Sequence, residues 1–185
     1  MNKDRIILGI DPGTTIMGYG IIAQKGNKIS LVVMDVIKLN KLSDQALKLK
    51  KIFETCLELI EFYKPDALAI EAPFFGKNVQ SMLKLGRAQG VAMAAGLYRS
   101  VPIFEYSPKK IKQSITGNGS ASKEQVASML ANLLTITEMP KYLDATDGLA
   151  AAVCHYFQKE LPEDTSGAVN SWAAFMAKNP DRVKK

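Results

Sequence analysis

Two short apolar runs that each end in a carboxylate constrain the fold more than any other feature of this sequence. Residues 5–11 pass through Ile-Ile-Leu-Gly-Ile before Asp11, and residues 67–71 pass through Ala-Leu-Ala-Ile before Glu71. Successive side chains of a strand point to opposite faces, so a run without polar alternation predicts a strand that is buried on both faces. Such strands lie inside sheets that helices cover on both sides. The sequence therefore predicts an α/β domain with acids at the ends of its central strands.

The remaining segments follow the order β-β-β-α-β-α-β-α-α-α. A hairpin over residues 17–24 and 28–37 follows the first strand, whereas the strands at 67–71 and 101–105 are separated by helical segments. A tight turn joins antiparallel strands and a helical crossover joins parallel ones, so we expect a mixed five-stranded sheet with helices on both faces. The first helix is expected to use Ser43 as its N-cap. The predicted helices cover residues 43–63, 78–99, 108–115, 122–134 and 144–160.

Asp144 and Asp147 open the last of these helices and place two further acids on one helical face. In a sheet with parallel strands, functional groups gather at the carboxyl ends of the strands, where Asp11 and Glu71 are expected. Four carboxylates at one edge predict a site for two hard divalent cations. Such a pair of ions supports the attack of water on a phosphodiester.

Each acid also has an ordinary structural interpretation. The Asp-Pro-Gly-Thr-Thr sequence that begins at Asp11 is typical of a turn, and it also opens the phosphate loops of actin-like ATPases and sugar kinases. Glu71 could form a salt bridge with Lys or Arg, since a buried unpaired charge costs several kcal/mol. Asp144 and Asp147 could cap their helix and interact with its dipole. His155 is expected to pack in the core or lie at the surface, about three turns from Asp144.

The excess of positive over negative charge comes from one part of the chain. The formal net charge is +6, but residues 72–123 contain eight basic residues and one acid, which leaves 16 basic and 17 acidic residues elsewhere. A concentrated positive field of this kind favours a polyanionic partner, although a solvated basic helix face is the simpler alternative. The basic residues are Lys77, Lys84, Arg87, Arg99, Lys109, Lys110, Lys112 and Lys123.

The composition excludes several other classes of protein. No apolar run approaches the ~20 residues of a membrane span, and the start of the chain has no signal-peptide pattern. Cys56 and Cys154 have no spacing typical of a disulfide framework or a zinc site, so a reducing cytoplasm is expected. We expect one domain over residues 1–161, followed by a partly disordered C-terminal extension over 162–185.

Six motifs in sequence order resemble those of the RuvC family, the bacterial Holliday junction resolvases with a ribonuclease H-like fold. The resemblance runs from about residue 5 to 160, and Gly148 stands where the family usually has Ala, a change expected to weaken the helix start slightly. The motifs are Gly9-Ile-Asp-Pro-Gly-Thr, Ala69-Ile-Glu-Ala-Pro-Phe, Leu85-Gly-Arg-Ala-Gln-Gly-Val, Phe104-Glu-Tyr-Ser-Pro-Lys-Lys-Ile-Lys-Gln, Gly117-Asn-Gly-Ser-Ala-Ser-Lys and Asp144-Ala-Thr-Asp-Gly-Leu-Ala.

This resemblance implies a homodimeric, Mg²⁺-dependent endonuclease that nicks two opposed strands of a four-way DNA junction, with two ions in each active site and Mn²⁺ as a substitute. The dimer interface would involve the Gly- and Ala-rich helix at 78–99, and RuvA and RuvB would be partners in branch migration. The resemblance assigns metal binding and catalysis to Asp11, Glu71, Asp144 and Asp147. Together with the basic segment and its aromatic loop, it assigns DNA binding to Phe74, Phe75, Lys77, Lys84, Arg87, Lys109, Lys112 and Lys123.

Three alternative functions use the same residues. An ATPase or sugar kinase would need a second phosphate loop, for which the sequence has no second motif like the one at Asp11. A non-catalytic junction or nucleic-acid binder would have no use for four acids beside DNA phosphates. A ribonuclease H-like nuclease that acts on RNA remains open, because neither the aromatic loop nor the lysine-rich segment excludes it.

Overall fold

The computed structural model describes residues 4–73 and 78–158. Within these ranges the order of strands and helices is the predicted one. The predictions for Phe74, Phe75, Lys77 and the C-terminal extension lie outside the described residues. The strands are β1 (Arg5–Asp11), β2 (Ile16–Lys25), β3 (Lys28–Lys38), β4 (Ala67–Glu71) and β5 (Ile103–Tyr106). The helices are α1 (Gln45–Tyr63), α2 (Val79–Tyr98), α3 (Pro108–Thr116), α4 (Lys123–Leu134) and α5 (Asp144–Phe157).

The five strands form one mixed sheet in the order β3-β2-β1-β4-β5. The first three strands are antiparallel neighbours, and β1, β4 and β5 run parallel to one another. The mixed topology expected from the hairpin and the helical crossovers is therefore confirmed. Because β1 and β4 are parallel neighbours, Asp11 and Glu71 end their strands at the same edge of the sheet.

Helices cover both faces of the sheet, and each face has its own hydrophobic core. On one face, α1 and α2 pack against side chains such as Leu8, Ile10 and Leu68. On the other face, α3, α4 and α5 pack against Ile7 and Ile22. The alternate residues of β1 thus enter different cores, as the unbroken apolar run predicted. None of the described helices combines the length and the apolar character that crossing a membrane requires.

The helix α5 lies unusually close to the sheet. A Cβ atom on Gly9 of β1 would be 2.2 Å from the carbonyl oxygen of Gly148, and one on Gly18 of β2 would be 1.7 Å from the carbonyl oxygen of Asp144. Real side chains do not tolerate such distances, so these strand positions require glycine. This close packing brings the first turn of α5 directly beside the end of β1.

The cap of α1 differs from the sequence-based prediction, and one glycine of α2 packs closely on the sheet. The N-cap of α1 is Asp44 rather than Ser43, because the Asp44 carboxylate accepts a hydrogen bond from the backbone N–H of Leu47 at 2.9 Å. In α2, a Cβ atom on Gly96 would be 2.9 Å from Leu68, whereas Gly86 and Gly90 have no atom of the described chain within 4 Å of such a position. Of the three glycines in α2, only Gly96 therefore packs against the sheet.

Candidate active site

Three of the four predicted acids meet at one point. Asp11 is the last residue of β1, and Asp144 and Asp147 lie in the first turn of α5. Each can offer a carboxylate oxygen that lies within 4.8 Å of the oxygens offered by the other two. All three side chains are partly buried. The acids come from opposite ends of the described chain, and the close packing of α5 on the sheet joins them.

Glu71 extends this cluster from the neighbouring strand. Burial, followed by the charge of Asp147, raises the pKa of Glu71 to about 7. Burial and then the charge of Glu71 raise the pKa of Asp11 well above its ordinary value. No Lys or Arg of the described ranges lies within salt-bridge distance of Glu71. Within the described residues, the structure therefore does not have the salt bridge that was the alternative interpretation of this acid.

The helix-capping interpretation of Asp144 and Asp147 also differs from the structure. The N-cap of α5 is Leu143, whose side chain makes no capping hydrogen bond. Both carboxylates lie in the first helical turn, where the helix dipole favours negative charge. Neither acid completes a capping box.

A lysine of the chain reaches into the acid cluster. Lys123, the first residue of α4, donates a short hydrogen bond to the carboxylate of Asp147. The Asp147 side chain is only 13% exposed, and burial raises its pKa even though Lys123 acts in the opposite direction. Lys112 of α3 lowers the pKa of both Glu71 and Asp147. One ion pair and one nearby lysine leave the four acids with an excess of negative charge.

The donor set fits divalent cations such as Mg²⁺. Carboxylate oxygens are hard ligands, and hard cations prefer them. Burial of several carboxylates with too few positive charges costs free energy, and bound cations would offset that cost. Asp11, Asp144 and Asp147 could share one ion, and Glu71 lies on the strand next to Asp11.

The predicted DNA-binding lysines and arginine divide into two groups. Lys112 and Lys123 lie at the acids. Lys84 and Arg87 lie on the exposed side of α2, and Lys109 packs over Gly119, where its Cγ would be 2.6 Å from a Cβ on that glycine. The structure thus brings two of these residues into direct electrostatic contact with the acids and leaves three on the surrounding surface.

The sequence analysis did not predict a role for Gln89, which contacts the backbone of the acid residue Glu71. This α2 residue is 8% exposed. Its Nε2 donates to the carboxylate of Glu105 at 2.9 Å and makes a longer contact of 3.4 Å to the backbone carbonyl of Glu71. A polar residue on the buried, Ala-rich face of a helix was the available signal, because such groups are buried only with a partner.

His155 is a packing residue, as expected. It is 5% exposed; its Nδ1 is hydrogen-bonded to the hydroxyl of Tyr106 at 2.7 Å, and its ring lies 4.3 Å from that of Phe104. These contacts join the C-terminal end of α5 to β5. They account for a buried histidine without a metal.

Comparison with known proteins decides the family. The sequence profile described as crossover junction endodeoxyribonuclease RuvC matches residues 7–155. This chain belongs to the RuvC family. The RuvC match includes β1 from Ile7, all the later described strands and nearly all of α5, and so it includes Asp11, Glu71, Asp144 and Asp147.

Bacterial members of the RuvC family are similar to this chain over almost its whole length. The crossover junction endodeoxyribonuclease RuvC of Cytophaga hutchinsonii is 62% identical over 181 residues, which cover 98% of this chain and 89% of that protein. The protein of the same name from Bacteroides fragilis is 60% identical over 184 residues, which cover 98% and 97% respectively. The RuvC assignment therefore extends well beyond a local motif.

A solved RuvC structure has the same fold. The Thermus thermophilus RuvC in complex with a Holliday junction substrate superposes with a TM-score of 0.77 at 34% identity, covering 83% of this chain and 93% of that one. The yeast mitochondrial Holliday junction resolvase Ydc2, at 17% identity and a TM-score of 0.58, shares the fold. The ribonuclease H-like architecture expected from the RuvC resemblance is confirmed.

Proposed function

We propose that this chain is a structure-selective DNA endonuclease that resolves four-way junctions by symmetric paired nicks, through metal-assisted hydrolysis of phosphodiesters. The observation that carries the proposal is the meeting of Asp11, Asp144 and Asp147 within 4.8 Å, with Glu71 in electrostatic contact. Membership of the RuvC family supports the choice of substrate, since the relatives are named crossover junction endodeoxyribonucleases.

The four acids are assigned to cation binding and catalysis. When bound, a pair of Mg²⁺ ions supplies an acidified attacking water and stabilises the charge on the leaving 3′ oxygen, and Mn²⁺ would substitute. The chain's own contribution is to hold the carboxylates in place before the ions arrive. The β1–β4 pairing fixes Asp11 beside Glu71, and the close docking of α5 fixes Asp144 and Asp147. Lys123 restrains the Asp147 carboxylate through its hydrogen bond.

The lysines beside the acids are assigned to the DNA strand being cut. Lys112 and Lys123 place positive charge next to the position that a scissile phosphate would occupy. Lys84, Arg87 and Lys109 would contact phosphates farther from the acids, because they are exposed on the surrounding surface. The assignment of Phe74, Phe75 and Lys77 to DNA bases and backbone remains a prediction from the sequence.

A homodimer accounts for paired nicks, because each protomer has one acid cluster and two opposed strands must be cut. The strip of α2 that carries Leu83, Gly86, Gly90 and Leu97 is the proposed interface, and Lys84 and Arg87 lie at the margin of that strip. Leu83 and Leu97 are 52% and 64% exposed there, and Gly86 and Gly90 lie open to close approach. RuvA and RuvB are proposed as the partners that deliver the junction, and the cytoplasm as the location.

The test uses a synthetic four-way junction, a linear duplex and an RNA–DNA hybrid, each incubated with the protein and Mg²⁺. Paired symmetric nicks confined to the junction support the proposal. Tight junction binding without nicks would point to a non-catalytic binder, and cutting of the hybrid alone to an RNA-directed nuclease.

The matched variant is Asp11→Asn, which removes one ligand charge and preserves the side-chain shape. It should abolish nicking while the basic surface still binds the junction. Simultaneous loss of binding and cleavage, in a variant that remains folded, would contradict the role assigned to Asp11.

A further inference from the structure

A basic and aromatic surface lies near the acid cluster and outside the basic segment of the sequence. Its members are Lys38, Lys141 and Tyr142, called the Tyr142 surface below. The Lys38 ammonium lies 5.1 Å from the centroid of the Tyr142 ring, and the Lys141 ammonium lies 5.8 Å from it. Ammonium groups at such distances are attracted by an aromatic ring. Tyr142 therefore has two positive charges within about 6 Å of the centre of its ring.

The Tyr142 surface is connected to the acid site through both the sheet and α5. Lys38 is the last residue of β3 and pairs with Ile16 at the start of β2, at the sheet edge where Asp11 ends β1. With neighbouring strands about 4.8 Å apart, β3 lies roughly 10 Å from β1 across the sheet. Tyr142 precedes Asp144 by two residues, and its carbonyl oxygen accepts a hydrogen bond from Ala145 in the first turn of α5.

Neither lysine has an acidic partner among the residues that the structure describes. In the described ranges neither Lys38 nor Lys141 takes part in a salt bridge, and both are exposed. Two ammonium groups that lie over one ring, without a salt bridge in the described part of the chain, form a positive site. A polyanion relieves the repulsion between such charges, and phosphates of nucleic acid are matched to lysine.

We propose that Lys38 and Lys141 bind the phosphate backbone of the DNA substrate on the β3 side of the acid cluster, and that Tyr142 positions both ammonium groups. This inference rests on the proposed junction-cleaving function. It adds a contact on the side of Asp11 away from Glu71, because β3 and β4 lie on opposite sides of β1. A strand that crosses the acids would then be held both by Lys112 and Lys123 and by the Tyr142 surface.

The test measures how the affinity for a four-way junction depends on salt, without divalent cations so that no strand is cut. Each lost phosphate contact reduces the slope of log affinity against log salt by about 0.9. In the Lys38→Gln/Lys141→Gln variant, which loses two contacts, the magnitude of this slope should therefore fall by about 1.8. The matched control is Lys25→Gln/Lys28→Gln. It removes the same charge from the other ends of β2 and β3, at the turn that joins these two strands.

A decrease in the slope for Lys38→Gln/Lys141→Gln but not for the control supports the inference. Equal decreases in both variants would show a general charge effect and overturn it, as would an unchanged slope at an unchanged melting temperature. Tyr142→Phe should retain the wild-type slope because it keeps the ring, whereas Tyr142→Leu should lose part of it. Identical slopes for the Phe and Leu variants would remove Tyr142 from its positioning role.

The proposed function is tested separately by wild-type cleavage of the junction with Mg²⁺. If the wild-type protein cuts the junction and the Lys38→Gln/Lys141→Gln variant behaves like its control, only the inference about the Tyr142 surface fails. If the wild-type protein does not cut the junction, the proposed function itself fails.

Discussion

A Cβ atom placed on Gly148 would lie 2.5 Å from the Cα atom of Tyr19, so α5 and β2 meet backbone to backbone. The sequence alone suggested that glycine at this position only weakens the helix start. The structure shows that it also permits the helix to reach the sheet. Because Gly148 follows Asp147 directly, the depth of this contact determines where the carboxylates of Asp144 and Asp147 lie.

The first prediction concerns this contact. Gly148→Ala should lower the free energy of unfolding by about 1–3 kcal/mol, because the added methyl group meets backbone rather than a mobile side chain. Cleavage should fall as α5 moves outward with Asp144 and Asp147. Thermal unfolding and junction cleavage measure the two effects. If Gly148→Ala keeps the wild-type melting temperature and cleavage rate, α5 can move away from the sheet without loss of stability or activity, and the prediction is wrong.

The second prediction concerns the stability of the protein without metal. Burial raises the pKa of Glu71 from 4.5 to about 7 in the folded protein, so the folded state holds its proton more tightly than the unfolded state. The associated stability is fully present below pH 4.5 and is lost as the pH rises through 7. Glu71→Gln should therefore stabilise the metal-free protein at pH 8, by roughly 1–3 kcal/mol after allowance for solvent screening.

Melting temperatures in a chelator at pH 5 and pH 8 measure this effect. The melting temperature of Glu71→Gln should exceed that of the wild-type protein at pH 8, and the difference should be small at pH 5. Glu58→Gln, at an exposed position on α1, is the control and should show no comparable gain. A Glu71→Gln variant that is less stable than wild type at pH 8 would contradict the unfavourable charge assigned to this site.

The third prediction concerns competition between protons and Mg²⁺. As the pH falls through 7, the Glu71 carboxyl takes up a proton because burial raises its pKa to about 7, and a ligand must lose its proton to bind a cation. The Mg²⁺ concentration for half-maximal cleavage should rise by up to about tenfold for each pH unit below 7. Mg²⁺ titrations at pH 6, 7 and 8 measure it, and a midpoint that does not change with pH would exclude Glu71 from the cation site.

The fourth prediction concerns Gln89. Gln89→Met keeps the size of the side chain but removes the amide that contacts the Glu71 carbonyl and the Glu105 carboxylate. We expect cleavage to fall about tenfold, because small displacements of catalytic groups are costly, while junction binding stays unchanged. Glu105→Gln, which retains an acceptor for Gln89, should remain near the wild-type rate. Equal losses of cleavage rate in Gln89→Met and Glu105→Gln would show that cleavage depends on the charge of Glu105 and not on the amide of Gln89.

The parts of the fold that depend on local patterns were predictable. The unbroken apolar runs of β1 and β4 identified central strands, and the acids that end them identified the site, because strand direction fixes which ends share an edge. Ser43 and Asp44 are neighbouring polar residues that can both cap a helix. The extended backbone conformation of Asp44 decides which of the two residues is the N-cap. That conformation cannot be predicted from the sequence pattern.

Features that depend on contacts distant in sequence were not predictable. The charge pattern along the chain pointed to residues 72–123, yet Lys38 and Tyr142 meet near the acids from opposite parts of the sequence. The partners of Gln89 likewise depend on how α2 lies over β4 and β5. The close docking of α5 requires glycines on β1 and β2 together with Gly148, and each of these looks ordinary when read alone.

The distribution of the acids along the chain has a consequence for protein synthesis. Asp11 begins the series and Asp147 ends it, so a nascent chain that lacks α5 has only two of the four carboxylates, although most of its sheet can already form. Domains generally fold as units as the chain leaves the ribosome. The proposed cutting activity would therefore require that the last helix has been translated and has docked.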